Sequence, residues 1–158
     1  MKALGMTPSF FVAHTFFWGD RHRDQFLGPE RAARISPLRD ALERELPFSI
    51  HLDSPVVPMD IGRLLWSAVT RQTRSGQVLG EDQRLSIMQA LRAVTIDAAW
   101  QSFEEQRLGS LEPGKLADLV LLDRDPLLGP EQLLNFKVDQ LWIGGRCYYQ
   151  RGQSQCQP

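Results

Sequence analysis

The sequence predicts an α/β fold, in which βα units on a parallel sheet are followed by a small antiparallel module. Two observations predict the first part. Short runs of strand type, at Ser9 to His14 and Phe48 to His51, alternate with segments of helical periodicity. The first run is apolar from Phe10 to Ala13, which suits a strand covered on both faces. A third observation predicts the second part: beyond Gly109 the chain breaks into short strands separated by Pro-Gly and Gly-Gly turns.

Taken in order, the strand over Ser9 to His14 leads into a Gly- and charge-rich segment, Trp18 to Pro29, read as a loop. Glu30 to Glu45 carries an apolar stripe of Ala32, Ala33, Ile35, Leu38, Ala41 and Leu42 and reads as helix. Ser36-Pro37 divides it, with Ser36 as the expected N-cap of a second helix and Pro37 at its first position. Pro47 ends the helical stretch, and Asp53-Ser54-Pro55 stops the strand that follows. Asp60 can cap a helix running from Ile61 to about Thr73. Ser86 and Gln89 form a capping box for a helix from Ile87 to about Trp100. Trp66 and Trp100 fall on apolar helix faces and are expected in the core. Then Pro113-Gly114 marks a type II turn, Ala117 to Asp123 a strand, and Val138 to Ile143 another. Gly144-Gly145 makes a tight hairpin into Arg146 to Tyr149. Asp118 and Asp123, at the ends of one strand, are expected to serve turns.

Composition excludes some functions. The net charge is −1 and the arginines are scattered, so there is no electrostatic case for a nucleic-acid partner or an anionic membrane. No apolar run approaches the ~20 residues of a membrane helix, and Gly5 and Pro8 break any signal-peptide core, so a cytoplasmic protein is expected. Cys147 and Cys156 form no CxxC and adjoin no histidine cluster, which argues against structural zinc. They can pair, although two free thiols are the expectation for a cytoplasmic chain.

Two strand ends could carry chemistry. In α/β folds with parallel sheets, active sites gather at the C-terminal ends of the strands. Asp53 sits at one such end, where a carboxylate can bind a metal or accept a proton; its alternative is a turn former before Pro55. His14 sits at the other, as a ligand or substrate contact, or else packed beneath a loop. Trp18 to Asp24 reads as an active-site loop or as a salt-linked surface loop. No nucleophile elbow, phosphate-cradling glycine loop or H-E-x-x-H occurs.

The run Gly109-Ser110-Leu111-Glu112-Pro113-Gly114-Lys115-Leu116-Ala117-Asp118-Leu119-Val120-Leu121-Leu122-Asp123, with Asp125-Pro126 after it, resembles the C-terminal signature of the amidohydrolase superfamily. His51-Leu52-Asp53-Ser54-Pro55-Val56 resembles the family's strand-eight segment. Pro8 to Asp20, with His14 and Trp18-Gly19-Asp20, resembles strand seven of the amidohydrolase family 3 branch, and Ala90 to Ala99 its outgoing helix.

The resemblance implies the C-terminal βα units of a (β/α)8 TIM-type barrel over 1–103 and part of a small β-sandwich over 104–150, while the polar composition of 151–158 predicts a disordered tail. It implies hydrolysis of non-peptide C–N bonds in amides, formamides or cyclic amides by a metal-activated water. Asp53 would be both metal ligand and base. His14, Trp18 and Asp20 would contact the small amide-type substrate. The implied cofactor is a divalent metal, zinc being usual. The family's other metal ligands, an H-x-H, a lysine and two histidines, have no counterpart here. Leu4 to Thr7 also reads as a helix end with no helix before it, so the chain is expected to be truncated and inactive alone. The partner reading is a missing N-terminal half or a homo-oligomer. The competing reading is a non-catalytic remnant or interaction module that pairs with another chain by its strand edges.

Overall fold

The computed structural model describes residues 1–153 and Cys156. The expected disordered tail includes residues 154, 155, 157 and 158, which lie outside the described residues.

The architecture is mixed α/β. Strand β1 (Ser9–Phe10) pairs in parallel with β2 (Ser49–Ile50), in the register Ser9↔Ser49 and Phe10↔Ile50. The apolar run from Ser9 to His14 is thus strand for only two residues. Helix α1 (His14–Arg21) takes up the rest of it and much of the segment read as a loop, and one π-helical turn, His22–Phe26, continues it. Gly19 and the charged residues suggested a loop, but Gly19 has a packing reason. A Cβ there would stand 2.7 Å from the Thr73 side chain, so the helix can seat closely only with glycine at this point.

Helices α2 (Pro29–Ala33) and α3 (Leu38–Glu43) are separated at Ser36-Pro37, as the sequence predicts. Ser36, however, is not the cap. It adopts φ +45°, Pro37 takes the N-cap position, and the Ser36 hydroxyl turns instead toward His14.

Helix α4 (Ile61–Thr70) is the central element. Asp60 caps it by accepting a hydrogen bond from the Arg63 amide at 2.9 Å. It stops before the expected Thr73 because Arg71 enters the left-handed region at φ +57°. Ser86 and Gln89 close both halves of the predicted capping box on α5 (Ile87–Ala93). The helix then breaks at Val94-Thr95, and α6 (Ile96–Gln101) follows. That break leaves Trp100 at 43% exposure, not in the core as its apolar face suggested, whereas Trp66 packs against the core.

Strands β3 (Leu119–Leu122), β4 (Val138–Ile143) and β5 (Arg146–Gln150) form the antiparallel sheet in that order. Gly144 and Gly145 both have positive φ at the β4–β5 hairpin. Asp118 accepts from the Gly144 amide and Asp123 from the Lys137 amide, which are the turn duties expected of them. Between β3 and β4 lies α7 (Pro130–Asn135), which is not evident in the sequence pattern. It packs on α4, and Leu133 joins the core formed by Val12, Leu38, Ile50, Leu64, Leu65, Ala68 and Ala90. Cys147 and Cys156, expected as free thiols, are joined as a disulfide. Among the described residues no helix is long and apolar enough to cross a membrane.

Candidate functional site

Because β1 and β2 are parallel neighbours, their C-terminal ends emerge side by side. The His51 amide donates to the Phe10 carbonyl at 3.0 Å, so His51 extends the pairing one residue past β2. There the Phe11 ring becomes the centre of an aromatic cluster. His51 stacks on it with centroids 5.7 Å apart, His14 stacks on it at 5.7 Å, and Trp18 meets it edge-on at 6.1 Å. His22 lies 5.1 Å from His14, so all 3 histidines of the chain belong to one cluster.

His14 is placed by α1, of which it is the first residue. Its Nε2 is 3.1 Å from the Ser36 hydroxyl. Burial, the nearby His22 and the Arg71 guanidinium together push its pKa down to about 4, so it is neutral at ordinary pH. Arg71 itself is fully buried. Its guanidinium donates to the carbonyls of Leu79 (2.9 Å), Ser36 (3.0 Å) and Ile35 (2.7 Å), and this locks the Ser36 turn against His14. Burial lowers the Arg71 pKa to about 10, against the opposing pull of Asp82, and the side chain stays charged.

Asp53 follows in the turn after β2, with φ +57° and an exposed side chain. Its carbonyl accepts from the Val56 amide at 2.8 Å, which is a turn-forming bond. Its carboxylate has no hydrogen-bond partner among the described residues. Turn former and available carboxylate therefore coexist in one residue, on different atoms.

Asp20 is arranged differently. Its carboxylate accepts from the hydroxyls of Thr73 and Ser75, each at 2.7 Å, and from the Ser75 amide at 3.1 Å. Burial raises its pKa, but these hydrogen bonds outweigh burial and hold it below the usual range. Its acceptor capacity is largely taken up in tying α1 to residues 73–75. Trp18 is half-buried between Phe11 and Phe17. The structure thus brings His14 and Trp18 together through Phe11, leaves Asp53 on the adjoining turn, and faces Asp20 toward the chain itself.

Sequence reasoning passed over His51 and Phe11. The available signal was spacing: Ser49 and His51 alternate onto one side of the strand, and His51 precedes Asp53 by two residues.

Metal-binding capacity is limited. Among the described residues no group of three or more His, Cys, Asp or Glu could hold a metal ion. A catalytic zinc takes about three protein ligands. The described residues do not by themselves complete such a site.

A sizeable cavity lies elsewhere. An apolar groove of about 660 Å³ runs between α6 and the sheet, lined by Ala98, Leu108, Leu119, Leu141 and Trp142 among others. It contains none of the histidines and neither Asp53 nor Asp20. Size favours the groove as a site, but the available chemical groups favour the strand ends. The strand ends are the better candidate, because they hold the titratable side chains that acid–base chemistry would use.

The chain is 30% identical to an N-substituted formamide deformylase from Arthrobacter pascens, over 96% of this chain and 28% of that protein. It is 27% identical to the putative amidohydrolase YtcJ of Bacillus subtilis, over 94% of this chain and 28% of that protein. The chain thus spans little more than a quarter of the length of these curated relatives. An uncharacterised metal-dependent hydrolase from Pyrococcus horikoshii superposes with a TM-score of 0.68 at 29% identity, covering 83% of this chain and 27% of that one. The family model described as the amidohydrolase family matches residues 1–149, and the chain is therefore a member of the amidohydrolase family of hydrolases.

Proposed function

We propose that this chain supplies part of the active site of a metal-dependent amidohydrolase that hydrolyses non-peptide C–N bonds in amides, formamides or cyclic amides. The observation that carries the reading is the exposed carboxylate of Asp53, without a hydrogen-bond partner among the described residues, beside the ends of two parallel strands. The deformylase relative gives formamides the first place among substrates to be tried. In this reading β1 and β2 are strands seven and eight of a (β/α)8 barrel over 1–103. The sheet of β3, β4 and β5 then belongs to a β-sandwich over 104–150.

When bound, a divalent metal such as zinc would lower the pKa of a coordinated water toward ~7. Asp53 is one donor for it, and the remaining donors would come from polypeptide other than the residues described. The steps assigned to this chain therefore involve its own groups. Asp53 accepts a proton as water adds to the substrate carbonyl. It then delivers that proton to the nitrogen as the C–N bond breaks, giving a carboxylic acid and an amine. Neutral His14 and the Trp18 face border the substrate. Asp20 contributes through the 73–75 segment that it holds.

The test is amine release from N-substituted formamides and cyclic amides in the presence of zinc. It is run on the chain alone and on the chain together with any polypeptide encoded in frame upstream. Turnover is expected only for the second. Asp53→Asn should lower it by a factor of about 100 or more, the usual scale for a lost acid–base group. Turnover by the chain alone would overturn the incomplete-site reading. No turnover in either form would overturn the hydrolase reading. It would favour an interaction module, for which the observation in favour is the two-stranded sheet with one open edge on each strand.

A further inference from the structure

The apolar groove between α6 and the sheet has a volume of about 660 Å³, which lies in the range of cavities that take small organic molecules. Its walls include Leu108, Leu119, Leu141 and Trp142. The indole Nε1 of Trp142 donates to the Gln140 side chain at 3.0 Å, so its polar need is met and the ring adds to the apolar wall. The charged residues lining the groove are both acids, Glu104 and Asp118. Glu104 is answered by the Arg107 guanidinium at 2.8 Å. Lys115 donates to Ser110 on the groove wall, and its charge is answered by Glu112 at 3.5 Å. Asp118 differs from Glu104. Its Oδ1 accepts from the Gly144 amide at 2.6 Å, and its carboxylate makes no ion pair among the described residues. An apolar groove whose lining carries one uncompensated negative charge complements a molecule with an apolar body and a single positive head.

We infer that this groove binds a hydrophobic primary amine as its ammonium ion, with the apolar body against Leu108, Leu119, Leu141 and Trp142 and the head at Asp118. An ammonium brings three N–H donors to a carboxylate that has acceptor capacity left. An alcohol of the same length lacks the charge, and a carboxylic acid carries the wrong one. Hydrolysis of an N-alkyl amide would release such an amine; that link rests on the proposed hydrolase reading, while the binding itself does not.

Isothermal titration calorimetry of the full chain at pH 7 with hexylamine, 1-hexanol and hexanoate reads this directly. Hexylamine is expected to bind about fivefold more tightly than hexanol, the scale of one exposed ion pair, and hexanoate more weakly than either. From butylamine to hexylamine the affinity should rise about threefold per added CH₂ as apolar surface is buried. Asp118→Asn keeps an oxygen for the Gly144 amide. It should bring hexylamine down to the hexanol value and leave hexanol unchanged. No binding of hexylamine, equal binding of all three molecules, or an undiminished amine preference in Asp118→Asn overturns the inference. If Asp118→Asn fails to fold by circular dichroism, Ala98→Leu fills the groove from α6 instead, and unaltered hexylamine binding in that variant overturns the inference.

Other occupants are read in the same series. A chain that sediments as a dimer and takes up no hexylamine assigns the groove to a second copy. Loss of hexylamine binding when a polypeptide encoded in frame upstream is present assigns the groove to that polypeptide. Either result overturns the amine reading. Absence of amine release from amides with hexylamine binding intact would overturn the hydrolase reading alone. Absence of hexylamine binding with amine release intact would overturn the groove inference alone.

Discussion

His14 and Arg71 show how single residues tune this site. The folded-state pKa of His14 is pushed down to about 4 from an ordinary 6.5, chiefly by burial. The sign follows by linkage. Above the unfolded value neither state holds the proton and pH has no effect through this group. As pH falls from about 6.5 to about 4, the unfolded chain takes up a proton that the folded chain refuses, so stability drops. The full loss amounts to roughly 3 kcal/mol at about 1.4 kcal/mol per pKa unit. Urea titrations at a series of pH values should show this fall, and His14→Gln should flatten it. Arg71 shows the opposite economy: a buried charge answered by three carbonyls. Arg71→Leu would leave the carbonyls of Ile35, Ser36 and Leu79 without these donors. The expected loss is about 3 kcal/mol or more, read as a lower urea midpoint. The place of Asp53 after a strand was legible, and its side chain is exposed there. Asp20 was legible as a polar residue in a suggestive motif. Only the fold reveals that Thr73 and Ser75, more than fifty positions away, occupy its carboxylate.

At the scale of elements, local chemistry set starts better than ends. Asp60 and the Ser86–Gln89 box were readable because a cap is a contact within four residues. Ser86→Ala should lower stability by about 1 kcal/mol, measured by chemical denaturation, because the Gln89 amide loses its acceptor. Ends and breaks were less readable. Helix α4 stops where Arg71 turns left-handed to place its guanidinium among distant carbonyls. Helix α1 forms where glycine and charges suggested a loop, because Gly19 is needed for close approach to Thr73. Ser36 has the composition of a cap, but its hydroxyl meets His14 instead. In each case a long-range contact overrode a local preference.

For the whole molecule the decisive contact is α7 on α4. Gly62 allows it, since a methyl group there would overlap the Leu133 carbonyl oxygen. Leu133 is 1% exposed and sits in the core built largely by the first half of the chain. Leu133→Ala should cost about 3 kcal/mol. Near- and far-UV circular dichroism should lose signal together at the lower midpoint, because the residue ties the C-terminal segment to the main core. The antiparallel sheet exposes Val120 and Ile143, and the apolar groove lies between it and α6.

The sequence alone determined the mixed α/β character, the antiparallel hairpin and its Gly-Gly turn, the two best helix caps, and the family through a long gap-free motif. These features are written in residues close together in the chain, where capping, turn geometry and periodicity act. Tertiary structure alone decided that His14 and His51 stack on Phe11 with His22 against His14, and that Asp20 is held by the 73–75 segment. Those outcomes depend on which side chains meet after the parallel strands pair and the helices pack. A hydroxyl or a carboxylate bonds whatever the fold brings within about 3 Å, however far away in sequence that partner lies.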